Sequence, residues 1–523
     1  MDPSQLDSLD DPDLFPDGQE GFEIVQTHLS VVCLAGDFAY KFKKSIRLPF
    51  ADFSTLEQRR YFCEEELRLN RRLCPGIYLD VLPLRRDHEG TLHLGEGEGE
   101  VIDHCLRMRR LPADRMLDVL LRENRVTAPE IREIARQVVA FHAEARRGEE
   151  VRAWGDPDKL YKFALANFEE TRAMTGPDGV LSGSLHAFLE ERTRCDFEKH
   201  LPRMRERAAA GHIVDGHGDL HARNICLGDP LAIYDCIEFT PAFRCGDTAT
   251  EHAFLLMDLR FRGHGELSAV YREAVLSATG DEKMIALLPM LVRYRAMVRA
   301  KVSAIEAGEA EQPADKREAA AATAATYLRL AAVSAIEEDG PWWLLFCGPP
   351  ASGKSHLAAA LAEVSRRGWP ILASDRIRKE LAGVAPTETL ASDGYTADFS
   401  RWTYAELRRR AEDLTSGSGL VILDANFRAR EERSQVFTAA KAAGAKLAIV
   451  RIETDERVVR RRLAARADDP ASVSDADLAV YEKLKSAFEP PGEEEADRLL
   501  SVSGETGTDA AVEEILIRLA RGR

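Results

Sequence analysis

A chain of 523 residues is too long for one ordinary hydrophobic core and implies two or three domains, two being the number its motifs fit. Its 45% hydrophobic and 30% charged residues, with no apolar run approaching membrane-span length, read as a soluble globular protein without a membrane span. A net charge of −17 weighs against tight nonspecific nucleic-acid binding, and nine scattered cysteines without a Cys-x-x-Cys pair weigh against a disulfide framework or structural zinc.

The acidic start Met1-Asp2-Pro3-Ser4 lacks a signal-peptide pattern, so a reducing cytoplasm is the expected location. Residues 1–22, rich in Asp, Pro and Gly, read as a flexible arm. A hairpin follows, with Ser30-Val31-Val32-Cys33-Leu34, a turn at Ala35-Gly36-Asp37, and Phe38-Ala39-Tyr40-Lys41-Phe42-Lys43. In its second strand Ala39, Lys41 and Lys43 share one face. Ala39-Tyr40-Lys41 has the Ala-x-Lys form of a strand lysine that meets nucleotide phosphates while a helix glutamate holds it. The plain alternative is a solvated strand lysine. Residues 56–73 form a charged helix carrying Glu64-Glu65-Glu66; Glu66 is chosen as the lysine's partner, the other two reading as a solvated acidic face. Gly95 to Glu100 is a polar turn, and 101–108 suits a strand leading to an interlobe hinge. From Ala128 onward helices dominate, with His142 in an apolar pattern that reads as a core or cap histidine.

The stretch His217-Gly218-Asp219-Leu220-His221-Ala222-Arg223-Asn224 sets an Asp five residues before an Asn, just upstream of a strand, 231–234, ending at Asp235. That is the chemistry of a kinase catalytic loop followed by a metal-binding Asp. Asp219 accepts or orients the proton of an attacking hydroxyl in such a loop, while Asn224 and Asp235 supply hard oxygen ligands for Mg²⁺. These residues resemble the aminoglycoside phosphotransferase family, whose fold is similar to protein kinases, and more narrowly its bacterial branch carried in front of a P-loop domain. The resemblance covers about residues 25–310 and implies ATP-dependent transfer to a hydroxyl or amine of a small molecule. Two departures stand out: the glycine-rich loop is reduced to Ala35-Gly36-Asp37, and Asp235-Cys236-Ile237-Glu238 replaces Asp-Phe-Gly. Glu238, Arg244, Asp247 and Glu251 read equally as a buried ion-pair network and as substrate contacts. Helical runs at 287–305 and 319–336 are expected to finish this domain, with a boundary at Glu337-Glu338-Asp339-Gly340-Pro341.

Gly348-Pro349-Pro350-Ala351-Ser352-Gly353-Lys354-Ser355 then fits the phosphate-binding P-loop, between an apolar strand and a helical run. Gly348, Ser352 and Gly353 let backbone N–H groups surround a polyphosphate, Lys354 reaches its β/γ-phosphates, and Ser355 meets Mg²⁺. Apolar runs at 371–374, 420–423, 446–452 and 499–502 alternate with helical patterns, which implies a five-stranded parallel sheet with ligands at the carboxyl ends of its strands. Asp375 and Asp424 stand there. Asp375 suits a base toward an acceptor hydroxyl, with Arg378 one helical turn on; Asp424 suits a metal-ordering acid or an ion-pair partner of Arg378. Arg462 and Arg466, four apart, can close over phosphate as a lid, with Arg457, Arg460 and Arg461 adding charge or forming an exposed basic face.

Residues 340–490 resemble the P-loop kinase group of polynucleotide 5′-hydroxyl kinases, zeta-type toxins and gluconate kinases. The likeness implies that Lys354 and Ser355 bind phosphate and metal, Asp375 is the general base, Arg378 contacts the acceptor or its phosphate, Asp424 supports them, and Arg466 is the lid arginine. The expected architecture is an α+β protein-kinase-like bilobal domain (23–338) followed by an α/β P-loop domain (339–523). The expected function is MgATP-dependent phosphotransfer to hydroxyl acceptors, small molecule or nucleotide-like, without a membrane and without stable nucleic-acid binding. Two alternatives stay open: a P-loop enzyme regulated by a kinase-fold binding module, and an ATPase without an acceptor.

Overall fold

The computed structural model describes residues 9–15, 22–48, 51–176, 179–310, 312–366, 368–386, 388, 390, 392–467 and 478–522. By packing, the chain divides into two compact units, residues 1–163 with 196–292 and residues 164–195 with 293–523.

The first unit opens with a six-stranded antiparallel sheet whose order is Glu23–Gln26, Ser30–Ala35, Phe38–Lys43, Glu100–Arg109, Tyr78–Arg86 and Leu92–Leu94. The period of two sorts its side chains. Val31, Cys33, Ala35, Tyr40, Phe42, Leu84 and Cys105 share one core cluster, leaving Lys41 and Lys43 on the opposite face of their strand. Leu9 and Phe15 are buried in the same cluster, and the Phe15 ring lies 4.9 Å from that of Tyr40. Residues 9–15 are therefore not a flexible arm: burying each of these side chains contributes about 1.5–3 kcal/mol, enough to hold the segment against the sheet.

The helix Leu56–Asn70 starts at a capping box formed by Thr55 and Gln58. Its buried residues Arg59, Cys63, Glu66 and Asn70 follow helical spacing and form one stripe, tied to the strand Glu100–Arg109 by an Arg59–Asp103 ion pair of 2.8 Å. Glu64 and Glu65 fall off that stripe and pair with Arg60 and Arg68 near solvent. The helical part of the unit centres on Thr248–Phe261, buried from Ala249 through Leu259.

In the second unit a five-stranded parallel sheet has the order Ile371–Ala373, Leu420–Asp424, Trp342–Cys347, Lys446–Glu453 and Leu499–Ser503. Trp342–Cys347 is buried throughout, as the central strand of a sheet covered on both faces should be. The helix Ala314–Glu338 packs against Thr508–Ala520 in this unit, where Arg329 pairs with Asp509 at 3.2 Å and Glu513 at 3.3 Å. It does not finish the first domain, because its apolar run from Leu328 to Ile336 is buried within the second unit. The expected boundary at 339 thus marks where the P-loop strand begins rather than where packing divides. By length and composition this helix is also apolar enough to cross a membrane, which the sequence reading overlooked, and 56% of that apolar window is buried inside the protein.

Candidate active sites

In the first unit Lys41 lies between two carboxylates distant in sequence: Nζ is 2.8 Å from Glu66 Oε1 and 2.7 Å from Asp235 Oδ1. Burial opposes the Lys41 charge, but Asp235 and Glu66 outweigh it and hold the amine well above its ordinary pKa. Burial likewise opposes the Glu66 charge, yet Lys41 and Lys43 pull that carboxyl down to about 2.

Asp235 is brought there by a short hairpin. Ile225–Cys226 pairs antiparallel with Ala232–Ile233, and Tyr234 N donates to Asn224 O at 3.0 Å, so Asn224 and Asp235 emerge at the same end. Asp235 has a left-handed φ of 63°, uncommon and costly for a residue with a Cβ, and the amides on either side of its Cα are both held. Its own N–H donates to Tyr78 Oη at 3.2 Å, and Cys236 N–H donates to Asn70 Oδ1 at 2.9 Å. Asn224 Nδ2 donates to Asp219 Oδ2 at 3.1 Å and to Asp219 O at 3.0 Å, which closes the loop between them.

The Asp219 loop is braced from below. Glu251 Oε1 accepts from His217 N and from Gly218 N, while Glu251 Oε2 is 2.6 Å from His142 Nε2. His217 Nε2 donates to Tyr234 O at 2.9 Å, leaving Nδ1 to accept from Asp219 N at 3.2 Å. Burial pushes the His217 pKa down, consistent with this neutral tautomer. Arg244 pairs with Asp215 at 2.7 Å and Asp247 with Arg207 at 2.8 Å. Of the two readings left open for Glu238, Arg244, Asp247 and Glu251, the internal network is the one formed. Glu251→Ala would strand two buried amides and His142, so it is expected to lower unfolding free energy by about 3–5 kcal/mol in a denaturant titration.

In the second unit the P-loop joins the central strand to the helix Lys354–Val364. Gly348 and Gly353 take φ of 136° and 107°, which side chains rarely adopt. Lys354 Nζ donates to Gly348 O at 2.8 Å and Pro349 O at 2.7 Å, folded over its own loop. The Ser352 hydroxyl is buried without a hydrogen-bond partner among the described residues. Burial raises the pKa of Asp424, Lys354 and the Ser355 hydroxyl oppose that rise, and Asp375 adds to it, so all three lie within electrostatic reach of Asp424. A loop at a helix N-terminus with an unpartnered buried hydroxyl, beside a second hydroxyl and two carboxylates, has the donor set for a polyphosphate with Mg²⁺.

Two expected roles are corrected. No ion pair joins Arg378 to Asp424 among the described residues; Arg378 is buried, donates to Gly394 O at 2.8 Å and Ser400 Oγ at 3.3 Å, and lies 5.3 Å from the centre of the Tyr395 ring. Its long side chain reaches Gly394, just before the helix Ala397–Ser418, and Ser400 in that helix's first turn. Arg462 is not an open lid residue, because its guanidinium donates to Ser352 O at 3.1 Å and Gly504 O at 3.1 Å and so clamps the P-loop to the last strand. Arg466 ends the helix Glu456–Ala467, and its side chain lies outside the described residues.

Comparison with known proteins places this arrangement in context. A family model described as an AAA domain matches residues 344–491. The uncharacterized protein Rv2004c of Mycobacterium tuberculosis is 31% identical over 422 residues, spanning 79% of this chain and 80% of that protein. The chain belongs to the family of that mycobacterial protein. Mb2027c of Mycobacterium bovis, in the same family, matches with the same 31% identity over 422 residues. Among solved structures, a gluconokinase from Sinorhizobium meliloti is 22% identical, covering 35% of this chain and 93% of its own at a TM-score of 0.25. A choline kinase from Cryptosporidium parvum is 11% identical, covering 61% and 92% at a TM-score of 0.37.

Sequence reading of this family member missed the far wall of the P-loop. Thr454 Oγ1 donates to Ser352 O at 2.8 Å, and a Cβ on Gly504 would fall 2.9 Å from that same oxygen, so Gly504 allows the close approach. Gly504, with Ser352, Gly353, Arg461, Arg462 and the 505–508 loop, lines a cavity of about 440 Å³. The signal was the Gly504-Glu505-Thr506-Gly507 turn at the carboxyl end of the last strand, where parallel sheets bind ligands.

Proposed function

We propose that the chain is an ATP-dependent phosphotransferase with a kinase-type site in each unit, moving the γ-phosphoryl group of MgATP to hydroxyl acceptors. The observation that carries the reading is the convergence of Lys354, Ser355, Asp375 and Asp424 at the carboxyl edge of one parallel sheet. In the second unit the loop amides and Lys354 hold the phosphates, Ser355 and Asp424 hold the metal, and Asp375 takes the acceptor proton. The nucleoside fits the 440 Å³ cavity beside Gly353. Arg378 acts on the acceptor side through the Gly394–Ser400 segment it anchors, and Arg466 is the lid arginine. In the first unit Lys41, held by Glu66, meets the phosphates, Asn224 and Asp235 hold the metal, and Asp219 orients the acceptor hydroxyl. Bound MgATP supplies the phosphoryl group and the metal charge that neutralises it, while the protein supplies positioning.

A second reading, in which the first unit is a nucleotide-binding module regulating the second, draws support from the hairpin turn above Lys41. Ala35 pairs directly with Phe38, so only Gly36 and Asp37 remain where a longer loop would cover phosphates. Incubation with γ-labelled ATP and a panel of aminosugars, aminoglycosides, nucleosides and 5′-hydroxyl oligonucleotides separates the two. Labelled product that depends on Asp219 supports transfer in the first unit; product that depends on Lys354 alone supports the regulatory reading. Absence of any labelled acceptor, with ATP hydrolysis persisting, contradicts the phosphotransferase reading.

A further inference from the structure

We infer that Lys43 is a positioning residue for the Lys41–Glu66 pair, with Glu238 as its counterion; this rests on the reading of the first unit as a nucleotide site. Glu66 is fully buried and gives one carboxylate oxygen to each lysine, Oε1 to Lys41 at 2.8 Å and Oε2 to Lys43 at 2.7 Å. The strand period of two puts both amines on the face that the helix Leu56–Asn70 covers. Lys43 Nζ also pairs with Glu238 and lies 5.0 Å from the centre of the Phe53 ring. Charges of alternating sign thus run Asp235, Lys41, Glu66, Lys43, Glu238.

The two ends of this row differ. The Asp235 side chain is 43% exposed, whereas Glu238 and Lys43 are 8% and 1% exposed. At the open end a metal-bound polyphosphate competes for Asp235 and draws it from Lys41. The closed end is buried from solvent, so Lys43 keeps Glu66 Oε2 whether or not nucleotide is present. Glu66 Oε1 then stays aimed at Lys41 when Asp235 leaves, and Lys41 stays aimed at the phosphates. Without Lys43 the carboxylate would be free to turn with whichever partner Lys41 prefers.

The test uses the full chain carrying Lys354→Ala, so that MgATP titrated in a calorimeter reports the first unit. Lys43→Met alone leaves buried Glu238 without its partner and is liable to unfold. The paired variant Lys43→Met/Glu238→Gln removes the charges together and is checked by its melting temperature. With the fold intact, it is expected to bind MgATP about tenfold more weakly than the parent, and Lys43→Arg to recover part of that loss. Added to Lys41→Met, the paired change is expected to cost little more, since Lys43 acts through Lys41. Affinity of the paired variant within about twofold of the parent, or losses that add in full, would overturn the inference while leaving the nucleotide site standing. A parent that binds no MgATP overturns the nucleotide-site reading, and this inference with it.

Discussion

Lys354→Ala is expected to lower ATP turnover by the second unit about 10² to 10³-fold, the usual cost of removing one preorganised charge donor from phosphate. The stability change should be small. Lys354 Nζ donates to Gly348 O and Pro349 O, carbonyls of the loop itself rather than of the sheet core, so truncation loosens the loop and leaves the strand order untouched. A second consequence follows from Asp424. Burial already raises its pKa, and Lys354 is the first of the groups that oppose the rise. Without Lys354 the carboxyl takes up its proton at a higher pH than before. Residual metal-dependent turnover should therefore show its acid limb displaced upward in a pH–rate profile. Undiminished turnover in Lys354→Ala would place the hydrolytic site elsewhere.

Glu66→Ala is expected to lower the unfolding free energy of the first unit by about 3–5 kcal/mol, because it removes the fully buried carboxylate that Lys41 and Lys43 share. Lys41→Met is milder, since Glu66 keeps Lys43 at 2.7 Å. The stabilising effect of Glu66 also has a definite pH sense. Its folded pKa, about 2, lies below the ordinary 4.5. The contribution is therefore complete above about 4.5 and fades as pH falls toward 2. Denaturant titrations of wild type and Glu66→Ala should show a gap in stability that is constant from pH 7 to 5 and narrows below that. A gap that widens on acidification would mean that the carboxyl is not ionised in the folded protein.

Local patterns in the sequence carried much of both sites. The spacing of Asp219, Asn224 and Asp235 was legible because a hairpin of a few residues sets it, and chain connectivity alone limits how far apart those groups can be. The choice of Glu66 agrees with the helix period that the structure shows, which puts it and not Glu64 or Glu65 on the Cys63 and Asn70 stripe. The P-loop and its five strands were legible as apolar runs punctuated by glycine. What escaped depends on contacts between distant segments. Lys43 and Glu238 are 195 residues apart, and nothing near either one marks a partner. Arg378 was expected beside Asp424, whereas a loop fold that no periodicity encodes sets it on Gly394 O. Among the arginines of the helix Glu456–Ala467, the spacing singled out Arg462 and Arg466 as a lid pair, yet Arg462 clamps the P-loop while Arg460 pairs with Glu456 and Glu482 nearer solvent. Ala314–Glu338 was assigned by adjacency in sequence, whereas its buried face packs with the P-loop unit.

The central claim is that each unit holds its own nucleotide phosphates. Calorimetric titration of the intact chain with MgATP measures this directly. Two equivalents should bind to wild type, one to Lys354→Ala, one to Lys41→Met/Asp235→Asn, and none to the combination. A single equivalent in wild type that Lys354→Ala abolishes would contradict it, leaving Lys41, Glu66 and Asp235 as an internal ion-pair network without a ligand.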